Sequence, residues 1–294
     1  MSQWQDLPLP PERQGEGSPA LVAWRKLRSP ELHNYRDVLV ALPPSYHGSG
    51  RHYPVVYMHD GQNLFDPATS YAGDWSLPAT LAGLAREGIE TIVVGIANKG
   101  SFRRYEYSPF RDEEHGGGDG DRYLAFITET VQPLVNRDFR TLQGPGHTAM
   151  AGSSMGGLIS VYALYRRPDL FGSAAALSPS AWFAGEALVR MAASEPAPPG
   201  RLYLDVGTGE SAALLDSVRR LRETLLAAGL AEGPRFRYVE DEGADHHESH
   251  WGRRFGEALP FLLGRRVAES AGRNDSTAPS DMPTGRLSDS EMPA

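Results

Sequence analysis

Hydrophobic positions along the chain follow two alternating patterns. Short apolar runs are typical of buried strands, and they occupy residues 21–24, 36–42, 53–59, 91–97, 173–177, 201–206 and 236–239. Apolar residues spaced three and four apart are typical of helices, and they occupy residues 76–86, 123–135, 211–228 and a last segment that ends near Leu263. Strands that alternate with helices predict an α/β fold, with a mostly parallel central sheet and helices on both faces. No long insertion follows residue 182, so we expect no large cap domain.

The two ends of the chain lack this pattern. Residues 1–20 are rich in proline, glycine and charge, and we expect them to form a loose N-terminal arm. The sequence from residue 268 to residue 294 is polar and has little apolar surface to bury, which predicts a disordered tail. The α/β domain should therefore span residues 21–267.

Composition narrows the classes of function. With 40% hydrophobic residues among 294, the chain can bury one full core. The absence of cysteine excludes disulfides, thiolate catalysis and cysteine-bound metal, and we expect no cofactor. A net charge of -8 gives no electrostatic footprint for nucleic acid, and no apolar run approaches the ~18 residues of a membrane span. We therefore expect a cytoplasmic protein that acts on a small molecule, and homo-oligomerisation is left open.

The stretch from residue 147 to residue 162 carries the strongest chemical signal. A run of small and apolar residues breaks at Gly152-Ser-Ser-Met-Gly156 and resumes with helical spacing. Between a strand and a helix, the pattern G-x-S-x-G forms a nucleophile elbow, in which the glycines allow close packing and the serine Oγ is exposed. Ser154 is therefore the candidate nucleophile.

A serine nucleophile needs a histidine that accepts its proton. His246, His247 and His250 follow the last predicted strand, where the base of an α/β hydrolase belongs. Asp245 and Glu248 lie among these histidines, so a metal site is the rival interpretation of the segment. However, the sequence from His247 to His250 is one residue short of the zinc motif H-E-x-x-H. The spacing favours a general base, and we predict no metal.

The histidine in turn needs a carboxylate that fixes its tautomer. Asp205 lies inside the predicted strand 201–206, so its side chain should leave the strand sideways, into the layer of helices. Glu210 follows the turn Gly207-Thr-Gly209, which can bring a carboxylate back over the strand end, where α/β sheets bind ligands. We favour Glu210 as the acid and keep Asp205 as the alternative.

Several ordered motifs resemble the putative esterase family of α/β hydrolases, which includes enterochelin esterases, esterase D, feruloyl and acetylxylan esterases and mycolyltransferases. They are YMHDGQNLFD (57–66), YEYSPF (105–110), AGSSMGGL (151–158), LSPSAWF (177–183) and HHESHW (246–251). The resemblance covers roughly residues 30–265.

This resemblance implies roles for individual residues. The family histidine precedes a tryptophan by five positions, as His246 precedes Trp251, so His246 is the implied base. The implied oxyanion hole consists of two backbone amides: that of Met155, after the nucleophile, and that of Gln62, in the turn after the third strand. The family acid commonly follows a Gly-Thr turn, often as aspartate, which agrees with Glu210 in position.

The sequence does not identify the substrate. Asp60, Tyr107 and Trp182 lie in loops that follow predicted strands, and they are candidate substrate contacts. The two aromatic residues would form pocket walls, and packing in the core is the alternative for each. We expect a serine carboxylesterase that works through an acyl-enzyme intermediate. An acyltransferase would use the same triad, and a non-catalytic binding protein on a hydrolase fold is the alternative from another class. Siderophore triesters, carbohydrate-linked acyl groups and small aryl esters are all compatible with the sequence.

Overall fold

A nine-stranded sheet forms the centre of the computed structural model, which describes residues 3–264. The strands are β1 (Gln5–Asp6), β2 (Ala20–Ser29), β3 (Asn34–Leu42), β4 (Val55–His59), β5 (Ile92–Ile96), β6 (Arg111–Asp112), β7 (Gly116–Gly117), β8 (Thr148–Ser153), β9 (Ser173–Leu177), β10 (Arg201–Gly207) and β11 (Phe236–Asp241). The order in the sheet is β1-β2-β3-β5-β4-β8-β9-β10-β11, and β6 and β7 form a separate hairpin.

Most of the sheet is parallel, as the sequence predicts. Neighbouring strands from β5 to β11 run parallel, while β1, β2 and β3 add an antiparallel edge. All carboxyl ends of the parallel strands therefore open on one rim of the sheet, where the loops that carry the predicted site residues begin.

Helices cover both faces of this sheet. They are α1 (Leu77–Arg86), α2 (Arg103–Glu106), α3 (Gly120–Ala125), α4 (Gln132–Asp138), α5 (Met155–Arg166), α6 (Phe183–Ser194), α7 (Ala212–Ala227) and α8 (Glu248–Leu262). A π-helical turn (Phe126–Val131) joins α3 to α4, so that residues 120–138 form one helical stretch. This stretch contains the predicted helix 123–135.

Alternate side chains of each central strand enter two different cores. In β4, Val55 and Tyr57 pack into the core that also contains apolar residues of α5 and α7. Val56 and Met58 point the other way and pack with apolar residues of α1 and α8. Because both faces of the strand are buried, its sequence is a continuous apolar run. The α/β prediction is thus confirmed.

The first residues of the chain are docked on the domain. β1 pairs with β2, the side chain of Leu9 is buried, and Arg13 forms an ion pair with Asp74 at 2.6 Å. The expectation of a loose arm is therefore wrong for this part of residues 1–20, because strand pairing and one buried leucine dock a segment of polar composition. The predicted tail, residues 268–294, lies outside the described residues.

The structure bears on two features that the sequence does not predict, a cap domain and a membrane-spanning helix. Within residues 3–264, the connection from β9 to β10 contains α6 and no cap domain. Over the same range, every helix is too short or too polar to cross a bilayer.

Candidate active site

Ser154 lies at a strained turn between β8 and α5. Its backbone has φ 58° and ψ -123°, a conformation that costs a non-glycine residue about 1–3 kcal/mol. The turn is held by hydrogen bonds from the Ser154 amide to the Leu177 carbonyl and from the Ser180 amide to the Ser154 carbonyl, both 3.0 Å long. The predicted strand, turn and helix are all present, and the serine stands at the N-terminus of α5.

Two glycines let β8 and α5 pass close to one buried histidine. A Cβ added at Gly152 would lie 2.8 Å from Cδ2 of His59, and one added at Gly156 would lie 3.1 Å from its Cβ. The first distance is shorter than real Cβ contacts and the second is tighter than most of them, so a larger residue at Gly152 would force β8 or His59 to shift, and one at Gly156 would require a smaller adjustment. The small residues of G-x-S-x-G are therefore required by packing here, as the motif predicts.

His246 and Glu210 are in direct contact. His246 Nδ1 lies 2.6 Å from Glu210 Oε2, and the His246 ring packs edge-on against Trp251 at 4.7 Å between centroids. An ionised carboxylate can only accept hydrogen bonds, so Nδ1 carries the proton and donates it. The neutral ring then has Nε2 free as a proton acceptor, which is the state that a general base requires.

Glu210 is held as a carboxylate although its side chain is fully buried. Burial alone would raise its pKa, but hydrogen bonds from His246, Ser178 and the Gly207 amide hold the pKa below its usual value. Glycines at positions 207 and 209 allow this packing, since a Cβ on Gly207 would overlap the Ala244 carbonyl. The Gly-Thr-Gly turn thus lets the loop that carries His246 approach the loop that carries Glu210.

Asp205 lies behind this pair. It is fully buried within β10, and its Oδ1 accepts the Ser178 amide at 3.1 Å and lies 3.2 Å from Arg254 Nη1. Burial raises the pKa of Asp205 to about 7, and Arg254 opposes this rise. Its side chain leaves the strand toward α8, as predicted, and the contact with His246 belongs to Glu210.

The two neighbouring histidines, His247 and His250, form hydrogen bonds that stabilise the start of α8. His247 caps the helix, since its Nδ1 accepts the Ser249 amide at 3.2 Å. His250 Nδ1 accepts the Asp245 amide at 2.9 Å. Both rings therefore stabilise the local turn, while His246 alone faces Glu210.

The side chain of Ser154 makes its hydrogen bond with a second serine. Ser154 Oγ and Ser180 Oγ are 3.2 Å apart, and within residues 3–264 no hydrogen bond joins Ser154 to His246. Hydrogen bonds between catalytic groups are often long in enzymes without substrate and tighten when it binds. Ser180 was not singled out from the sequence, although its place in the LSPSAWF motif was a signal that could have found it.

Two helices start at the rim, and the backbone amides of their first turns have no acceptor within the helix. Gln62 lies in the short 3-10 helix Gly61–Asn63, and Met155 is the first residue of α5. First-turn N–H groups have no intrahelical partner, so both amides are available to an external oxygen. Gln62 Oε1 accepts the Asn98 amide at 3.1 Å, which fixes this turn against the following loop.

Asp60 directly precedes the 3-10 helix that contains Gln62, and its side chain anchors this turn to the following loop. Its carboxylate accepts Arg103 Nε at 2.8 Å, Arg103 Nη2 at 2.7 Å and Asn98 Nδ2 at 2.7 Å. Burial would raise the pKa of Asp60, but Arg103 and Asn98 hold it below its usual value. With φ 56°, Asp60 also begins the turn in a left-handed conformation. Its carboxylate is therefore engaged inside the protein.

Tyr107 differs from its expected role as a pocket wall. The side chain is fully buried, its hydroxyl accepts the Asp60 amide at 3.1 Å, and its ring packs against His59 and Tyr123. Tyr107 therefore supports the Gln62 turn and does not face the rim. The sequence misplaced it because an aromatic residue after a strand fits a pocket wall and a core equally well.

Trp182, in contrast, is accessible. It is 39% exposed, lies directly before α6 and two residues after Ser180, and packs edge-on against His115 at 5.7 Å between ring centroids. Tyr105 is also exposed and lies against Gly116, where an added Cβ would approach the tyrosine ring within 2.7 Å. The loop 98–121 and the turn after β9 thus present aromatic faces to solvent.

Burial of His59 makes stability depend on pH. The side chain is 1% exposed, and burial lowers its pKa to about 3, against about 6.5 in an unfolded chain. Between these values the unfolded chain binds a proton that the folded protein does not, so the free energy of unfolding falls as the pH falls. We expect His59 to remove about 1.4 kcal/mol per pH unit below about pH 6.5.

Urea unfolding of the wild type and of His59→Gln at pH 7 and pH 5 measures this effect. Glutamine keeps a polar group beside Tyr123, whose hydroxyl lies 2.9 Å from His59 Nδ1, and it does not titrate. The variant should therefore lose about 2 kcal/mol less than the wild type over this range. Equal pH dependence in the two proteins would show that His59 is not the responsible group.

Several known proteins are similar to this chain in sequence or in structure. A family model described as Putative esterase matches residues 29–262. The Uncharacterized protein YbbA of Bacillus subtilis is 27% identical over 243 residues, which are 78% of this chain and 93% of that protein. The Siderophore enterobactin esterase of Emericella nidulans is 29% identical over 204 residues, which are 62% of this chain and 64% of that enzyme.

Solved structures show the same fold. A ferulic acid esterase aligns with a TM-score of 0.66 at 19% identity, and the alignment covers 84% of this chain and 98% of that one. The family description and the names of the relatives support ester hydrolysis. Because the family match runs from β2 to the end of α8, this chain belongs to the putative esterase family of the α/β-hydrolase fold.

Proposed function

We propose that this protein is a serine carboxylesterase that works through an acyl-enzyme, with Ser154 as nucleophile, His246 as general base and Glu210 as triad acid. The proposal rests chiefly on the 2.6 Å hydrogen bond between His246 Nδ1 and Glu210 Oε2. That contact orients an imidazole at the same rim as a serine in a strained elbow. Membership of the esterase family supports the reaction class.

In the first half of the proposed reaction, Ser154 Oγ attacks the ester carbonyl carbon while His246 Nε2 takes the serine proton. The carbonyl oxygen becomes an oxyanion, and the amides of Gln62 and Met155 donate hydrogen bonds to it. When the tetrahedral intermediate collapses, the carbon–oxygen bond to the alcohol breaks. His246 returns the proton to the departing alcohol, and the acyl group stays on Ser154.

In the second half, water replaces the alcohol. His246 removes a proton from the water, whose oxygen attacks the acyl carbon, and the same two amides bind the second oxyanion. Collapse releases the carboxylic acid and restores Ser154 with the proton from His246. Glu210 keeps its charge throughout and stabilises the imidazolium form of His246 in both halves.

Siderophore esters are the substrate class that the relatives favour. The fungal relative is described as an enterobactin esterase, and a second one, from Aspergillus fumigatus, as a triacetylfusarinine C esterase. The exposed Trp182 offers an aromatic face close to the elbow, which suits an acyl or aryl group. Values of kcat/KM for a siderophore triester, an acetylated sugar, a feruloyl ester and p-nitrophenyl esters would rank these classes.

Glu210→Gln tests the acid. The amide can no longer stabilise the imidazolium and can hold the ring in the wrong tautomer, so kcat should fall by about 10³- to 10⁴-fold with KM little changed. Hydrolysis of p-nitrophenyl acetate by the purified variants measures this.

Asp205→Asn is the matched control, because asparagine keeps an oxygen that can accept the Ser178 amide. We expect a much smaller loss of kcat in this variant. A folded Asp205→Asn protein without activity, beside a Glu210→Gln protein of near wild-type activity, would transfer the role to Asp205.

A further inference from the structure

Ser178 connects the acid to two side chains of α8. It follows β9, is fully buried, and has φ 44°. Its hydroxyl has three partners: Arg254 Nη2 at 2.9 Å, Trp251 Nε1 at 3.2 Å and Oε1 of Glu210. Because the Ser178 side chain is fully buried, it acts on neighbouring protein groups and has no access to solvent.

The chemistry of these partners determines where the hydroxyl proton points. A guanidinium N–H and an indole N–H can only donate hydrogen bonds, so both must be directed at the lone pairs of the Ser178 oxygen. A hydroxyl has two lone pairs and one proton. With both lone pairs occupied, the single proton is left for Glu210, whose carboxylate can only accept.

We propose that Ser178 is a positioning residue for Glu210: Arg254 and Trp251 fix its hydroxyl so that it permanently donates to Oε1 and leaves Oε2 to His246. This inference rests on the proposed function in that it assigns a role behind the acid. The Gly207 amide also donates to Oε1, at 2.9 Å, so this oxygen is held from two directions. The carboxylate then has one orientation available for the histidine.

The two donors are themselves fixed. Arg254 is 2% exposed and lies among three carboxylates, with Nη1 3.2 Å from Asp205, Nη2 3.8 Å from Glu210 and Nε 3.7 Å from Asp241. Trp251 packs against the His246 ring. One turn of α8 therefore supports the base through Trp251 and the acid through Ser178, so that both groups keep one relative position.

Ser178→Ala removes this donor without touching substrate. Loss of a hydrogen bond to a charged group should lower kcat by about 10- to 100-fold, with little change in KM. The low-field proton resonance of the His246 Nδ1–H bond to Glu210 should shift or broaden, because the carboxylate can now rotate. Ser173→Ala is the matched control: it removes another buried serine hydroxyl, at the start of β9, the strand that Ser178 follows. The Ser173 hydroxyl donates to the Leu262 carbonyl at 3.1 Å. It should leave kcat and the resonance unchanged.

If Ser178→Ala does not fold, Ser178→Gly serves the same test, since glycine adopts φ 44° without strain. Wild-type kcat together with an unchanged resonance in a folded variant would overturn the inference. The resonance needs no turnover, so it still reports on Ser178 if the wild type hydrolyses no ester. A wild type that hydrolyses no ester would refute the proposed function and leave the inference about Ser178 to be decided by the resonance.

Discussion

Replacement of Ser154 by alanine is expected to abolish ester hydrolysis, with kcat lowered by roughly 10⁵- to 10⁶-fold. The reason is that the substitution removes the oxygen proposed to form the acyl-enzyme bond, while the amides of Gln62 and Met155, which we propose as the oxyanion hole, stay in place. These amides and substrate binding alone leave a residual acceleration of about 10³- to 10⁴-fold over water. Initial rates with p-nitrophenyl acetate measure the loss.

Ser153→Ala is the matched control for this experiment. Ser153 is the preceding residue of the same motif, buried at the end of β8, and its removal should leave most of the activity. Far-UV circular dichroism and the melting temperature of both variants should match the wild type closely, because alanine preserves the backbone of the turn. Retention of more than about one per cent of kcat in Ser154→Ala would contradict the role of Ser154.

His246→Ala should lose nearly as much activity as Ser154→Ala, with kcat lower by about 10⁴- to 10⁶-fold. One imidazole has to accept the serine proton, and the ring bound to Glu210 is the one oriented for this. His247→Ala and His250→Ala are the matched controls, since their rings cap and brace the start of α8. Each should keep kcat within about tenfold of the wild type, measured with the same ester.

The double variant Ser154→Ala/His246→Ala adds a second criterion. Because nucleophile and base act as a unit, it should be no slower than either single variant. EDTA should leave the wild-type rate unchanged. A rate that EDTA removes and zinc restores would instead support a metal site at residues 245–250.

The sequence predicted that the loops carrying Ser154, Glu210 and His246 share one rim, and the structure brings His246 and Glu210 into contact there. Strand ends in a parallel sheet share one rim, so Ser154, Glu210 and His246 had to emerge on the same side. The choice between Glu210 and Asp205 depended on side-chain direction within a strand, which alternates regularly. Asp205 is indeed buried toward α8.

The sequence did not predict that Arg254 is buried among carboxylates. It stands in the polar sequence Gly252-Arg-Arg-Phe255, which is compatible with an exposed helix face. A signal was available in the spacing, because Arg254 lies three residues after Trp251 and next to Phe255, both on the buried stripe of α8. An arginine on that stripe needs buried carboxylates around it, and these come from β10, from the turn after β10 and from β11, all distant in sequence.

Tyr107 and the N-terminal residues were misjudged because local patterns do not record tertiary contacts. The hydroxyl of Tyr107 finds its partner in the Asp60 amide, 47 positions away in the chain. Leu9 is a single apolar residue in a proline-rich segment, and one buried side chain gives no periodicity to detect. In both cases the deciding contact is long-range.

The most direct test of the account is the site of covalent labelling by a fluorophosphonate. Such a probe reacts with a serine only when an adjacent base activates it, and the adduct mimics the tetrahedral intermediate. Intact-protein mass spectrometry followed by peptide mapping should find one adduct, on Ser154, in the wild type and in Ser153→Ala. It should find none in Ser154→Ala. An adduct on another residue, or one that persists in Ser154→Ala, would contradict the assignment of Ser154 as nucleophile.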